Sequence, residues 1–326
     1  MKTILVTGGA GYVGSALVPK LSKIYDNVRV LDTFWFSDKD IFSDLHNVEC
    51  IEGDIRDNSI MAKSLVDIDH VIHLACISND PSYDLNPNLA KTINFDCFEN
   101  IVTTAKEAGV SRFILASSSS VYGIKEEERV TEDLEPSPLT DYSKYKLLCE
   151  EILNRHSSQE FVVTSLRPAT VCGVARRQRL DVIVNILATH GYINNEIKVF
   201  GGDQKRPNIH IEDMCNTYIK LLSAPKVLIN KNVYNIGAKN HTVNELSEMV
   251  KNILNVSSIK VTETNDNRSY KICSDKIFNE LGIKTEFTIE DAVNDLYVSL
   301  KESKLTDPLN NSIYYNVKLL KERNIL

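Results

Sequence analysis

The residues Thr7-Gly8-Gly9-Ala10-Gly11-Tyr12-Val13-Gly14 follow directly on the short apolar run Ile4-Leu5-Val6. A run without polar alternation reads as a strand covered on both faces. A helical pattern, Tyr12–Ile24, comes next. The glycines Gly8, Gly11 and Gly14, spaced GxxGxxG, therefore fall on a strand–turn–helix junction. Gly8 turns the chain out of the strand, Gly11 lets a diphosphate reach the backbone, and Gly14 lets the helix pack closely on the sheet. The N–H groups of the first helical turn, around Tyr12 and Val13, then meet an anion at the positive end of the helix dipole.

The same alternation continues. Strand candidates are Thr3–Thr7, Val28–Asp32, Val48–Glu52, His70–Ala75, Arg112–Ser117 and Phe161–Leu166, with helical patterns between them at Asn88–Ala108 and Tyr142–Arg155. Repeated βαβ units imply an α/β fold with a doubly wound parallel sheet. After about residue 170 the pattern is mixed. A helix is expected to begin near Leu180, strands at Ile197–Phe200 and Asn208–Ile211, and helices at Glu212–Ser223, Val243–Leu254, Asp275–Leu281 and Ile289–Lys301. This reads as a smaller mixed α/β C-terminal lobe. The expected division is residues 1–170 and 171–326, with the chain crossing between lobes. The tail from Tyr314 to Leu326 carries no readable role.

The second strand ends in Asp32, eighteen positions after Gly14. A carboxylate there accepts hydrogen bonds from two ribose hydroxyls and repels a 2′-phosphate, which predicts NAD over NADP. Asp54-Ile55, after the third strand, is placed to touch an adenine and reads equally as a turn. The net charge of −7 argues against a nucleic-acid surface. The seven cysteines form no CxxC pair, and the seven histidines no HxxxH or HExxH pair, so neither a disulfide framework nor a metal site is expected. No apolar run approaches the roughly 18 residues of a membrane helix. With no signal-peptide pattern at the start, the cytoplasm is the expected location.

Tyr142 and Lys146 are four apart in Asp141-Tyr142-Ser143-Lys144-Tyr145-Lys146, so on a helix they share a face. A free phenol ionises near pH 10, and a neighbouring ammonium favours its phenolate. Tyr142 is therefore a candidate base for a hydroxyl proton. The pair follows the fifth strand and Ser117-Ser118-Ser119-Ser120-Val121-Tyr122-Gly123.

The glycine pattern, the SSxxVYG segment and the YSKYK segment together resemble the extended short-chain dehydrogenase/reductase family. That group contains UDP-galactose 4-epimerases and nucleotide-sugar dehydratases. The resemblance runs from Met1 to about Asp275. It implies a Rossmann-like fold, NAD as cofactor, and a nucleotide-diphosphate sugar as substrate. Ser118 would orient the substrate hydroxyl with Ser119 beside it. Tyr142 would be the base, and Lys146 would hold the nicotinamide ribose. Asn94, Leu74, Ala75 and Pro168 match positions around the cofactor. It also implies a homodimer through the helices bearing Tyr142 and Asn88–Ala108.

The dehydratases and decarboxylases of that group carry acidic residues after the serine or threonine. Here Ser119 and Ser120 stand there, and elimination without an acid lacks its proton shuttle. Hydride chemistry at one carbon remains: a 4-epimerase or 4-oxidoreductase, with a 4-dehydrogenase or keto-reductase as the alternative. Arg206, in Gly202-Asp203-Gln204-Lys205-Arg206-Pro207, and Arg268 resemble the family's two arginines for the substrate diphosphate. A guanidinium fork suits phosphate oxygens. Arg176, Arg177 and Arg179 form a local basic cluster, and the stretch Arg177-Gln178-Arg179-Leu180-Asp181-Val182-Ile183-Val184-Asn185 has a short resemblance to nucleotide-linked heptose dehydrogenases. That assigns Arg177, Arg179 and Asp181 to the substrate, although Asp181 reads equally as a helix cap.

Overall fold

The computed structural model describes residues 2–263, 269 and 271–325. The strands are β1 Thr3–Thr7, β2 Asn27–Asp32, β3 Val48–Glu52, β4 His70–His73, β5 Arg112–Ala116, β6 Val162–Pro168, β7 Thr170–Cys172, β8 Glu196–Phe200, β9 Lys205–His210, β10 Asn232–Ile236, β11 Asn240–Thr242 and β12 Ser258–Thr262. The helices of the first half are α1 Tyr12–Leu21, α2 Asn58–Ser64, α3 Asp80–Tyr83, α4 Pro87–Lys91, α5 Phe98–Glu107 and α6 Asp141–His156. The second half adds α7 Ile183–Asn194, α8 Ile211–Ser223, α9 Lys226–Ile229, α10 Val243–Leu254, α11 Asp275–Leu281, α12 Ile289–Lys301 and α13 Asn316–Glu322.

Seven strands form one sheet in the order β10-β6-β5-β4-β1-β2-β3, and every pairing in it is parallel. Alternate side chains explain why its central strands, such as β1 and β5, are continuously apolar. Ile4, Val6, Val30, Ile72 and Ile114 belong to the core on one face, and Leu5, Leu31, Val71, Phe113 and Leu115 to the core on the other. Helices cover both faces, so this is the doubly wound, Rossmann-like sheet expected. A separate core around Val184, Leu187, Leu246, Val250 and Leu296 holds the later helices against β8. Two small sheets, β11-β9-β7 and β12-β8, complete the described strands.

Three departures from the expectation bear on the site. The seventh strand, β10, comes from the second half of the chain and pairs with β6. Its sequence Asn-Val-Tyr-Asn-Ile gives no apolar run, because Asn235 is buried for hydrogen bonding rather than for hydrophobic contact. The single helix expected over Asn88–Ala108 is interrupted by a π-helical turn at Thr92–Asp96. Such a turn inserts an extra residue and re-aims its side chains. Here buried Asn94 accepts from the Ile77 backbone N–H at 2.8 Å and donates to the Ile77 carbonyl at 3.0 Å. The helix expected near Leu180 begins at Ile183 instead, because residues 177–181 are committed to side-chain contacts described below.

Candidate active site

In this strand order β1 lies between β4 and β2, and the connections leave it in opposite directions. A crevice opens at the carboxyl ends of strands where that happens, and ligands of such folds bind in it. A cavity of about 780 Å³ occupies this place. It brings together Gly8, Gly11, Tyr12, Val13, Gly14, Asp32, Asp54, Ile55, Leu74, Ala75, Ser118, Ser119, Tyr142, Lys146, Pro168, Arg177, Arg179, Asp181 and Arg206. Asn94 does not line it but braces Ile77, which does. Arg268 lies outside the described residues.

The glycine turn is tight enough to dictate its composition. Gly8 has φ +69°, and a Cβ there would sit 2.6 Å from the Ala75 Cα. A Cβ on Gly14 would lie 2.4 Å from the Gly9 carbonyl oxygen. Asp32 ties this turn to β2, accepting from the Ala10 N–H at 3.0 Å and the Phe34 N–H at 2.9 Å. Burial raises the affinity of its carboxyl for a proton, and those backbone donors oppose the rise. Asp54 is held by Arg56, whose Nη2 lies 2.6 Å from Oδ2. Burial pushes the Asp54 carboxyl up, but the Arg56 bonds outweigh it and the net shift is downward. The Tyr12 hydroxyl donates to the Gly173 carbonyl at 2.7 Å and accepts from Asn185 at 3.0 Å.

On the other side, Thr140 caps α6 in a reciprocal capping box with Ser143. This fixes the start of the helix that carries Tyr142 and Lys146. The Lys146 ammonium is buried, donates to the Ala116 carbonyl at 2.7 Å, and stands 5.9 Å from the Tyr142 ring centroid. Ser118 caps the 3-10 turn Ser119–Tyr122, with its Oγ 2.8 Å from the Ser120 Oγ. Behind the site, buried His73 is 2.8 Å from the Thr7 hydroxyl. Burial, helped by the Lys146 charge, pushes His73 down to about 3, so it stays neutral.

One network was not foreseen. Ser117 donates to Glu150, and Arg167 grips the same carboxylate with Nε at 3.0 Å and Nη2 at 2.7 Å. Arg167 also donates to the Tyr122 hydroxyl at 2.8 Å, which donates to Asn235 at 2.9 Å. These groups are buried. They join β5, α6, β6 and β10 directly beneath Ser118 and Lys146. Glu150 lies one helical turn beyond Lys146, which was the available sequence signal.

The arginine cluster divides. Arg176 pairs outward with Asp44 at 2.7 Å. Arg177 and Arg179 are buried. Arg179 pairs with Asp181 at 2.5 Å, and Arg177 lies on the Phe36 ring, 4.9 Å from its centroid. Arg206, on β9, also lines the cavity.

Residues 4–237 match the NAD dependent epimerase/dehydratase family. The chain belongs to that family, whose members are NAD-dependent enzymes. An uncharacterized protein of Sinorhizobium fredii, y4nG, is 32% identical over 257 residues, covering 77% of this chain but 60% of its own length. A UDP-glucose 4-epimerase of Lactobacillus helveticus is 26% identical over 272 residues, covering 78% of this chain and 82% of its own. Among solved structures, MoeE5 in complex with UDP-glucuronic acid and NAD superposes with a TM-score of 0.81 at 26% identity, covering 92% of this chain and 99% of that one.

Proposed function

We propose that the chain is an NAD-dependent sugar-nucleotide 4-epimerase or 4-oxidoreductase, working at C4 of a nucleotide-diphosphate sugar. The observation that carries this reading is the grouping of Ser118, Tyr142 and Lys146 in one cavity with the glycine turn, where serines instead of acids stand at 119 and 120.

The residues fit NAD. The turn from Gly8 to Gly14 leaves the space a Cβ would fill, and Asp32 stands at the end of β2 to take the adenosine ribose hydroxyls. Bound there, NAD supplies an acceptor and donor of hydride. The protein's own part is positioning and proton movement. Tyr142 takes the proton from the sugar C4 hydroxyl at its phenolic oxygen and returns it in the reverse step. Ser118 orients that hydroxyl. Lys146, anchored on the Ala116 carbonyl, holds the ribose and favours the phenolate. Arg206 takes the substrate diphosphate, a role the family resemblance also gives to Arg268. Water loss at the neighbouring carbon needs an acid where Ser119 and Ser120 stand, so dehydration is not part of this reading. A homodimer through α5 and α6 belongs to it, with sedimentation velocity as its test.

The test is incubation of the purified protein with UDP-glucose, UDP-glucuronic acid and UDP-N-acetylglucosamine, with products followed by NMR. Conversion of at least one to its C4 epimer or 4-keto form is expected. Turnover of none, or formation of a 4-keto-6-deoxy product, would overturn the proposal.

A further inference from the structure

The C-terminal segment ends in a set of contacts that the cofactor-binding turn alone does not require. Asn316, the first residue of α13, is 4% exposed. Its side-chain oxygen accepts from Arg177 Nη2 at 2.5 Å, and its amide donates to the Ser78 hydroxyl at 3.1 Å. Its backbone N–H donates to Asp181 at 2.9 Å. The Leu180 N–H donates to the Tyr314 carbonyl at 2.9 Å, and Arg323 donates to the Trp35 carbonyl at 2.7 Å. Leu319 and Leu320 are buried beneath. The segment thus spans from the loop after β4 to the loop after β2, both of which line the cavity.

Arg177 is the unusual member. Its guanidinium is buried, touches the Asn316 amide and the Phe36 ring, and has no carboxylate partner among the described residues. Among the described residues its Nε has no hydrogen-bond partner, and neither has Nη2 of Arg179. Asp181 and Asp32 stand near enough to act on the Arg177 charge without bonding it, so the orphaned guanidinium N–H groups of Arg177 and Arg179 keep hydrogen-bonding capacity that an anion would fill. The backbone locates the corner: the Arg177 N–H donates to Ser15 Oγ at 2.9 Å, on the first turn of α1. Arg177 therefore stands over the same helix start that the glycine turn opens. Both sets of donors line the one cavity.

We propose that Arg177, Arg179 and Asn316 form a latch over the diphosphate of the dinucleotide, so that the C-terminal segment retains the cofactor and the arginines serve it instead of the substrate. This rests on the NAD reading above. A cofactor that stays in place must regain its starting state in every turnover, which favours epimerisation over net oxidation of the sugar.

Two variants test the latch. Arg177→Met removes the cation, and Asn316→Asp keeps the shape while giving Arg177 an internal counter-ion. The protein is loaded with NAD, and exchange against radiolabelled NAD is timed. ADP-ribose and UDP affinities are measured by calorimetry. None of these readings needs turnover. Exchange about tenfold to a hundredfold faster and ADP-ribose binding weaker by a similar factor, with UDP affinity unchanged, is the expected result for the loss of one charge-assisted phosphate contact. Weakened UDP binding in either variant would return the arginines to the substrate. Unchanged NAD exchange and ADP-ribose binding in both would remove the latch. A wild-type protein that binds UDP but not NAD would overturn the cofactor reading itself, and the latch with it.

Discussion

Asp32 shows how one side chain can set a cofactor preference. Its two oxygens already hold the Ala10 and Phe34 N–H groups, so the carboxylate is fixed in place at the end of β2. Replacing it by Asn keeps the size but removes the charge that repels a 2′-phosphate. Asp32→Asn is expected to narrow the preference for NAD over NADP by about tenfold or more in calorimetry, and an unchanged ratio would assign Asp32 a purely structural part. Gly14→Ala meets backbone, not a movable side chain, at 2.4 Å. Loss of NAD binding and a lower melting temperature are expected of it, read by calorimetry and thermal unfolding. These residues were legible because a diphosphate, a ribose and a proton-transfer step each demand one residue type at a fixed spacing. Asn316 was not legible. Its partner Arg177 lies 139 positions away, and an asparagine at a helix start reads as a cap.

Among the elements, α6 carries the most. Its cap residues, Tyr142, Lys146 and Glu150 share one helix, so the Glu150–Arg167 pair fixes the helix that holds the base and its cation. Breaking a buried pair leaves an uncompensated charge, at a cost of about 3–5 kcal/mol. Glu150→Gln is expected to lower the melting temperature and to reduce kcat with little change in KM. A fall in stability alone would limit the network to folding. The central strands of the first half, β1, β4 and β5, were legible from nearly continuous apolar runs, because both faces of the sheet are covered. β10 was hidden because two of its five residues are asparagines, one of them part of this network. The π-helical turn was hidden because its sequence keeps helical periodicity while its hydrogen bonds do not.

For the whole molecule, the order of strands makes the crevice, and the second half of the chain closes it. That half contributes a strand to the main sheet, arginines to the cavity and a tail whose Asn316 lines it. The contacts are long-range and polar, which is why periodicity did not disclose them. The interior also shapes the response to acid. Folded His73 stays neutral down to about pH 3, whereas in the unfolded chain it takes a proton near its ordinary value of 6.5. Unfolding therefore takes up a proton between those values, and stability falls as the pH falls through that window, by about 1.4 kcal/mol per unit for one proton. Denaturant melts at pH 4 to 7 should show that slope, reduced by about one proton in His73→Gln.

The most direct measurement uses nucleotide sugars deuterated at C4, UDP-glucose and UDP-glucuronic acid among them, with no NAD added beyond that carried by the protein. Formation of the C4 epimer with the deuterium retained at C4, abolished or reduced by about a hundredfold or more in Tyr142→Phe, is the expected result. Epimer formed with the label lost to water, or full activity in Tyr142→Phe, would contradict hydride chemistry at C4 with Tyr142 as its base.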